Sequence, residues 1–320
     1  KGAYIDGSYM DGHQFRPADS RVPDTDGWYV SRNTASLADQ ENLAGTLKVR
    51  WNMGFADLEW FINKSKFENK QVFDSDYSDG GDRFNSEFSG LDSFRDSLSS
   101  ELRLSSNGDQ RFEWLAGLHW MDQESNWGWL KTTEGIHYQP EWDSRGIYKT
   151  DSVSAFFNAG FNVTDRLNIS AGLRYYDDSK TLRTGETASW DGVLWSAALA
   201  YAVSDRVNTW FSVSTGYRPG GLNGMPGVPA RFDSEHVTAY EAGLKSFLAD
   251  GSLVLNLSAF YNDHEDLRAQ SHTILPLPGN AGLMDYMTTA GDMKSKGLEA
   301  EIQWLPGSNW NLSANIAWLD

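Results

Sequence analysis

The side chains best suited to chemistry are spread along the chain and do not gather into a known catalytic or metal-binding spacing. Histidines stand at positions 13, 119, 137, 236, 264 and 272. None shares the spacing by which a His-Glu-x-x-His helix or a zinc finger collects its ligands. There is no Gly-x-Ser-x-Gly elbow and no cysteine, which removes the nucleophile elbow, thiol catalysis, disulfide scaffolds and Cys-ligated zinc. The sequence therefore predicts no catalytic residue, no cofactor and no resident metal. One stretch, Asp74-Ser75-Asp76-Tyr77-Ser78-Asp79-Gly80-Gly81-Asp82, is rich in carboxylates. It lacks the Gly at the sixth and the Glu at the twelfth position of an EF-hand loop. It reads as a solvated acidic loop, with a divalent-ion site as the sharper alternative.

Binding chemistry is better represented. The segment 124–149 carries Trp127, Trp129, Tyr138, Trp142 and Tyr148. Such rings could stack on a sugar or an aromatic ligand, or simply pack with other loops. Arg218 precedes Pro219-Gly220-Gly221, with Asn223 close behind. A guanidinium there could meet an anionic ligand, or the segment could be a turn whose Arg pairs with an acidic surface. Arg103, Arg174, Glu241, Lys245, Glu299 and Glu301 form a third group, and each is embedded in an alternating apolar run.

Those runs define the elements. In Leu167-Asn168-Ile169-Ser170-Ala171-Gly172-Leu173-Arg174-Tyr175, apolar and polar or small residues alternate, and 207–217 and 253–262 behave alike. Period-two alternation is a strand with two unlike faces. Twelve strands are predicted, near 42–51, 55–65, 97–106, 111–123, 151–163, 167–177, 192–203, 206–217, 236–248, 251–265, 295–305 and 309–319. All nine prolines fall outside them or at turns, as the missing N–H requires. Tight connections with turn composition, such as Thr164-Asp165-Arg166 and Ser204-Asp205-Arg206, alternate strictly with long ones at 66–96, 124–150, 178–191, 218–235 and 266–294.

A soluble sandwich and a membrane barrel share this pattern. Three features favour the barrel. The runs have the length of about 9–11 residues that a tilted membrane strand needs. The ionisable residues keep to one face: Lys48 and Arg50 oppose Leu47, Val49 and Trp51, and Glu299 and Glu301 oppose Leu298, Ala300 and Ile302. A basic residue turned to lipid near the midplane costs about 2–4 kcal/mol, which gives that segregation a cause. Aromatics mark strand ends at Trp51, Trp60, Trp120, Tyr175, Tyr217, Tyr261, Trp304 and Trp318, as interfacial belts do.

The 320 residues hold 27 Lys+Arg against 44 Asp+Glu, a formal net charge of −17, which argues against a nucleic-acid partner. Thirteen per cent aromatic residues is too many for a disordered acidic chain. No apolar run approaches the about 18 residues of a membrane helix, and Lys1-Gly2-Ala3-Tyr4 does not read as a signal peptide. Short turns belong on the periplasmic side of bacterial barrels and long loops outside. Both ends of the chain are then expected outside, with 1–40 as an outer loop and 41–320 as strands and loops of an interior piece of a larger barrel. A complete twelve-stranded barrel is the alternative.

Residues 212–224, Ser-Val-Ser-Thr-Gly-Tyr-Arg-Pro-Gly-Gly-Leu-Asn-Gly, resemble a strand-and-loop motif of TonB-dependent outer-membrane receptors. Ser100-Glu101-Leu102-Arg103-Leu104, Ala171-Gly172-Leu173-Arg174-Tyr175, Tyr240-Glu241-Ala242-Gly243-Leu244-Lys245 with Ala259-Phe260-Tyr261-Asn262-Asp263, and Lys296-Gly297-Leu298-Glu299-Ala300-Glu301 are similar to further strands of that family, in the same order. The resemblance implies an all-β, transmembrane antiparallel up-and-down β-barrel of about 22 strands around a plug, of which twelve strands and no plug are present here. It implies energy-coupled import of a scarce nutrient such as a ferric siderophore, in the outer membrane of a Gram-negative bacterium. The implied partners are TonB, the plug, outer-membrane lipid and lipopolysaccharide. Arg218, Asn223, Trp127, Trp129 and Trp142 are then candidates to face the ligand. Arg103, Arg174, Glu241, Lys245, Glu299 and Glu301 are candidates to face the lumen. A passive porin-like channel and a soluble carbohydrate-binding β protein are the alternatives.

Overall fold

The structure, a computed structural model, describes residues 37–74, 87–107, 111–133, 148–224, 227–277 and 280–320. Its strands are β1 (Leu37–Asn52), β2 (Ala56–Asp74), β3 (Glu87–Ser106), β4 (Phe112–Thr133), β5 (Tyr148–Thr164), β6 (Leu167–Leu182), β7 (Thr187–Ser204), β8 (Val207–Arg218), β9 (Gly221–Leu222), β10 (Arg231–Phe232), β11 (Glu235–Leu248), β12 (Leu253–Leu277), β13 (Asn280–Gly307) and β14 (Trp310–Leu319). Twelve of them form one antiparallel sheet in the order β1-β2-β3-β4-β5-β6-β7-β8-β11-β12-β13-β14, and β9 pairs with β10 separately. Each long strand pairs with its neighbours in sequence, so the sheet is an up-and-down meander. It is not closed: β1 and β14 are its two edges.

The twelve predicted strands are all present, and their tight-turn ends agree with the sequence reading. Turn chemistry fixes those ends. Thr164 Oγ1 accepts the N–H groups of Arg166 (3.2 Å) and Leu167 (3.0 Å), and Ser204 Oγ accepts that of Arg206 (3.3 Å). A hydroxyl that takes the free amides of a turn holds the chain in the reversal.

The opposite ends differ from expectation. β2 continues to Asp74, β3 starts at Glu87, β4 reaches Thr133, and β12 and β13 run on to Leu277 and from Asn280. The described parts of three segments read as long loops, 66–96, 124–150 and 266–294, therefore continue the paired strands. Leu37–Gln40, expected in an outer loop, belong to β1. The predicted 178–191 loop shrinks to a tight turn, with Leu182 N–H bonded to Glu186 O at 2.8 Å and Gly185 in the left-handed region at φ 90°. The ladder persists through pairs such as Lys66↔Asp96 and Asn69↔Ser93, where polar residues occupy both faces. With water on both sides no face need be apolar, so the alternation ends although the backbone pairing does not.

Below that level the two faces are unlike. Leu173 is 59% exposed and Val193 60%, and the same face carries Leu47, Val49, Trp51, Trp195 and Leu298, all exposed. Among the described residues only Ala56, Tyr176, Leu182, Ala188 and Leu222 are buried hydrophobics. Among the described residues no second layer covers the apolar face, which argues against the sandwich reading and leaves lipid as its solvent. On β6 the outward row runs Ile169, Leu173, Tyr175 and then Asp177 and Ser179, so the strand leaves the lipid band after Tyr175.

Candidate functional site

The charged face is organised by cross-strand pairs. Glu59 on β2 receives Lys48 (3.0 Å) and Arg50 (2.5 Å) from β1. Arg103 pairs with Glu101 two residues away and lies over the Phe61 ring, 5.0 Å from its centroid. Arg174 lies 6.0 Å from the Phe156 ring, and Lys245 5.5 Å from Trp210. Asn256 donates to Glu301 (3.0 Å) and Ser258 to Glu299 (3.4 Å). Glu241, Lys245, Glu299 and Glu301 share one open hollow of about 530 Å³. All six embedded charges singled out in the sequence stand at positions alternating with the exposed apolar residues.

At the far end of the strands a small hairpin folds onto this face. β8 leaves β7 after Ser214: Thr215 Oγ1 takes the Trp195 N–H (2.8 Å) and donates back to Trp195 O (3.2 Å), in place of the next ladder pair. Two residues on, Tyr217 stacks on Tyr176 with ring centroids 3.6 Å apart. Tyr217 thus packs with a polar-face residue and not in an interfacial belt. β9 and β10 then pair as a ribbon, with Arg231↔Leu222 and Phe232↔Gly221 in register. Leu222 is buried with Leu182 and Ala188 against Tyr148 and Trp190, which draws the ribbon over β5, β6 and β7. Tyr148 Oη donates to Leu222 O at 3.1 Å. On the other flank Asn223 clamps β13: its Nδ2 donates to Met287 O (2.9 Å) and its Oδ1 accepts Met287 N–H (2.8 Å). Gly220 and Gly221 are required by close approach, since a methyl group on either would overlap Trp190, Phe232 or the Phe232 carbonyl.

Two cations grip consecutive carbonyls of the ribbon's entry. Lys180 Nζ donates to Gly220 O (2.7 Å) and Arg268 Nη2 to Pro219 O. Both lie on rings, Lys180 5.8 Å from Trp190 and Arg268 4.8 Å from Phe232. Above the lipid band, burial and then the positive charge of Arg268 push the Lys180 ammonium down to about 8, with Asp178 pulling it back up and Arg218 adding the smallest push down. Burial, then Arg218, likewise lowers Arg268, and burial raises the Tyr148 phenol.

The structure thus separates the predicted ligand-facing residues. Arg218 and Asn223 are brought together by the hairpin, where Arg218 is exposed and Asn223 is engaged with backbone. Trp127 and Trp129, expected on a loop, lie on β4 opposite Ser93 and Leu91. Trp142 and residues 75–82 of the acidic stretch lie outside the described residues. Lys180, Arg268 and Trp190 were not singled out by the sequence reading, whereas Tyr148 was, among the rings of 124–149, and it packs against the hairpin. Their partner segment is distant in the chain, and only Lys180's polar-face position in β6 could have flagged it.

A meander with a bare apolar face, an internally paired charged face and hairpins extended at one end defines an outer-membrane β-barrel wall. Residues 2–320 match the family described as TonB dependent receptor-like, beta-barrel, and the chain belongs to that family of Gram-negative outer-membrane proteins. It is 26% identical over 233 residues to a pesticin receptor of Yersinia enterocolitica, covering 68% of this chain and 33% of that protein. It is 25% identical over 179 residues to the ferripyoverdine receptor of Pseudomonas aeruginosa, covering 55% of this chain and 22% of that protein. The ferric yersiniabactin uptake receptor of Yersinia pestis has the same fold, with TM-score 0.71 at 17% identity over 92% of this chain and 45% of that one. A copper transporter does too, with TM-score 0.72 at 14% identity over 91% and 48%. The chain spans about a third of the length of the pesticin receptor and just under half of these solved structures.

Proposed function

We propose that this chain is part of the barrel wall of an energy-coupled import receptor for a scarce nutrient, a ferric siderophore or a similar metal chelate. In this reading the charged face lines the lumen, so Arg103, Arg174, Glu241, Lys245, Glu299 and Glu301 meet the plug or the passing ligand. The tight turns lie in the periplasm and the extended hairpins outside. Lipid and lipopolysaccharide meet the apolar face, and TonB supplies the drive through the plug. Ligand capture falls to Arg218 on the inward hairpin, with Trp127 and Trp129 on the outer extension of β4 and with Trp142. Asn223 serves there by holding the hairpin in place.

The observation that supports this reading is the hairpin itself. A ribbon folded onto the charged face, with Gly220 close against Trp190 of the wall, leaves Arg218 exposed at its foot, which supports a ligand contact at that end of the barrel. The relatives' names, pesticin and ferripyoverdine receptors, agree with a receptor role. The test is uptake of radioactive iron, as chelates from an iron-limited culture, by cells with and without the full-length gene. Uptake that needs the gene and stops with a protonophore supports the proposal. Gene-dependent uptake indifferent to the protonophore would instead establish a passive channel.

A further inference from the structure

β7 lies in the middle of the sheet, yet its far end has a neighbour on one side only. It pairs with β6 from Thr187 to Tyr201, but with β8 only from Ser196 to Ser204. Beyond Ser196 β8 turns inward, carries Tyr217 onto Tyr176 and leads to the β9–β10 ribbon, whose Leu222 packs with Ala188 and Trp190. Thr187–Trp195 is thus left as a free edge. It is not one at which the wall of a larger barrel would continue, since β1 and β14 hold those places.

The edge is equipped for pairing. Trp195 turns its N–H and C=O toward β8, where Thr215 Oγ1 takes both (2.8 and 3.2 Å). Alternate residues of an antiparallel strand point their backbone groups the same way. Those of Val193, Asp191 and Ser189 therefore face the open side. All three residues are exposed, and among the described residues no strand or side chain meets these groups. Val193 stands opposite Tyr175, where β6 leaves the lipid band, so the edge from there to Thr187, about 20 Å long, lies in water. Natural edges are commonly blunted by proline or a bulge. This one has no proline and keeps an unbroken register with β6.

One charge marks the edge. Asp191 stands directly opposite Asp177 of β6, both are exposed, and like charges so placed repel. Neither carboxylate has an ion pair among the described residues, and Lys149 on β5 is engaged by Asp122 (3.2 Å) and Asp151 (3.9 Å). A strand laid beside β7 would set a side chain next to Asp191, and a lysine or arginine there would relieve the repulsion.

We propose that Thr187–Val193 of β7 is a docking edge for an extended, basic segment of a protein partner, which adds to the sheet as a strand with a lysine or arginine beside Asp191. Main-chain hydrogen bonds supply the binding, and the Asp177–Asp191 pair selects the charge. The proposal rests on the import reading above only for the side, outside the cell, from which the partner arrives.

The test is fluorescence anisotropy of labelled synthetic peptides with the full-length receptor in detergent micelles. The parent peptide is as long as Thr187–Trp195, alternates Thr and Val and carries a central Lys. One further peptide has Glu for that Lys, and two carry N-methyl groups on alternate residues, one in each phase. Wild type, Asp191→Lys and Ser189→Pro are compared, each first checked for the heat-modifiable migration of a folded barrel. Ser189 sends its N–H to the open side, so proline there removes a donor of the edge and none of the β6 ladder. The expected result is saturable binding of the parent peptide by wild type. It is weakened about fivefold or more by Glu in the peptide or by Asp191→Lys, and the Glu peptide recovers on Asp191→Lys. N-methylation in one phase and Ser189→Pro each weaken it about tenfold or more, whereas N-methylation in the other phase leaves it unchanged. No saturable binding by wild type would overturn the proposal, as when another part of the full-length chain holds the edge. Equal binding of both N-methylated peptides, or equal binding by all three receptors, would do the same. Energy-dependent iron uptake beside any of these would remove the docking edge and leave the import reading standing. Peptide binding without such uptake would do the reverse.

Discussion

Trp210 on β8 lies across Gly243, its direct partner on β11, so closely that a methyl group on Gly243 would overlap the indole ring. Lys245, two residues along β11, sits 5.5 Å from the centroid of the same ring. The arrangement recurs on the charged face with Phe156 over Gly117, Tyr176 over Gly192 and Phe260 over Gly297, each a cross-strand pair. A ring laid over a glycine covers the exposed backbone and pins the register where the face offers no apolar core. The charged face is thus a built surface, with rings roofing glycines and cations resting on rings.

Replacing Gly243 with Leu would therefore expel Trp210. Overpacking of this kind costs about 1–3 kcal/mol. The expected outcome is a lower urea midpoint for the full-length receptor in micelles, together with a change in tryptophan emission. Trp210→Phe with Gly243→Ala is expected to recover part of the loss.

The Asn223 clamp makes a separate prediction. Asn223→Ala leaves the N–H and C=O of Met287 without their side-chain partners, at a cost of about 1–3 kcal/mol if they stay buried. Hydrogen exchange at the Met287 amide should accelerate, while exchange in β6 and β7 below Tyr175 stays as in wild type. Uniform acceleration would mean that Asn223 supports the whole barrel and not the hairpin.

The pH dependence of hairpin docking follows from Lys180. Docked, burial holds its ammonium down to about 8, below the ordinary lysine value of 10.5. The docked state therefore binds fewer protons between those two values, and docking strengthens as pH rises through that window. Below about pH 8 Lys180 is charged in both states and adds no slope. A spin label at Ala230→Cys should lose mobility between pH 8 and 10 in wild type. In Lys180→Met that change should be absent.

Much of the fold was legible because the lipid band imposes a period on the sequence. Leu173 must face lipid and Arg174 must not, so β6 announces itself; the hydroxyl-capped turn at Thr164 marks its start, as the one at Ser204 marks the end of β7. Above the band that constraint ends. Lys66 and Asp96 pair across a ladder with polar residues on both faces, and nothing in their types distinguishes strand from loop. The hairpin site was half legible. Arg218, Gly220, Gly221 and Asn223 are contiguous and stand out as a motif, whereas Lys180 and Arg268 reach them from 40 and 49 residues away. Those contacts depend on strand register at the far end of the barrel, which the sequence pattern does not encode.

The central claim is that the alternating faces of this sheet meet lipid on one side and an aqueous lumen on the other. Single cysteines at Ile169, Leu173 and Val193, and at Arg174, Ser196 and Ser212, in the full-length protein in outer membranes test it directly, since these 320 residues carry no cysteine of their own. The account predicts that the first set reacts with a lipid-soluble maleimide and resists a charged, water-soluble one, and that the second set reacts with the charged reagent once any segment filling the lumen is removed. Free reaction of Leu173→Cys and Val193→Cys with the charged reagent in intact membranes would contradict it.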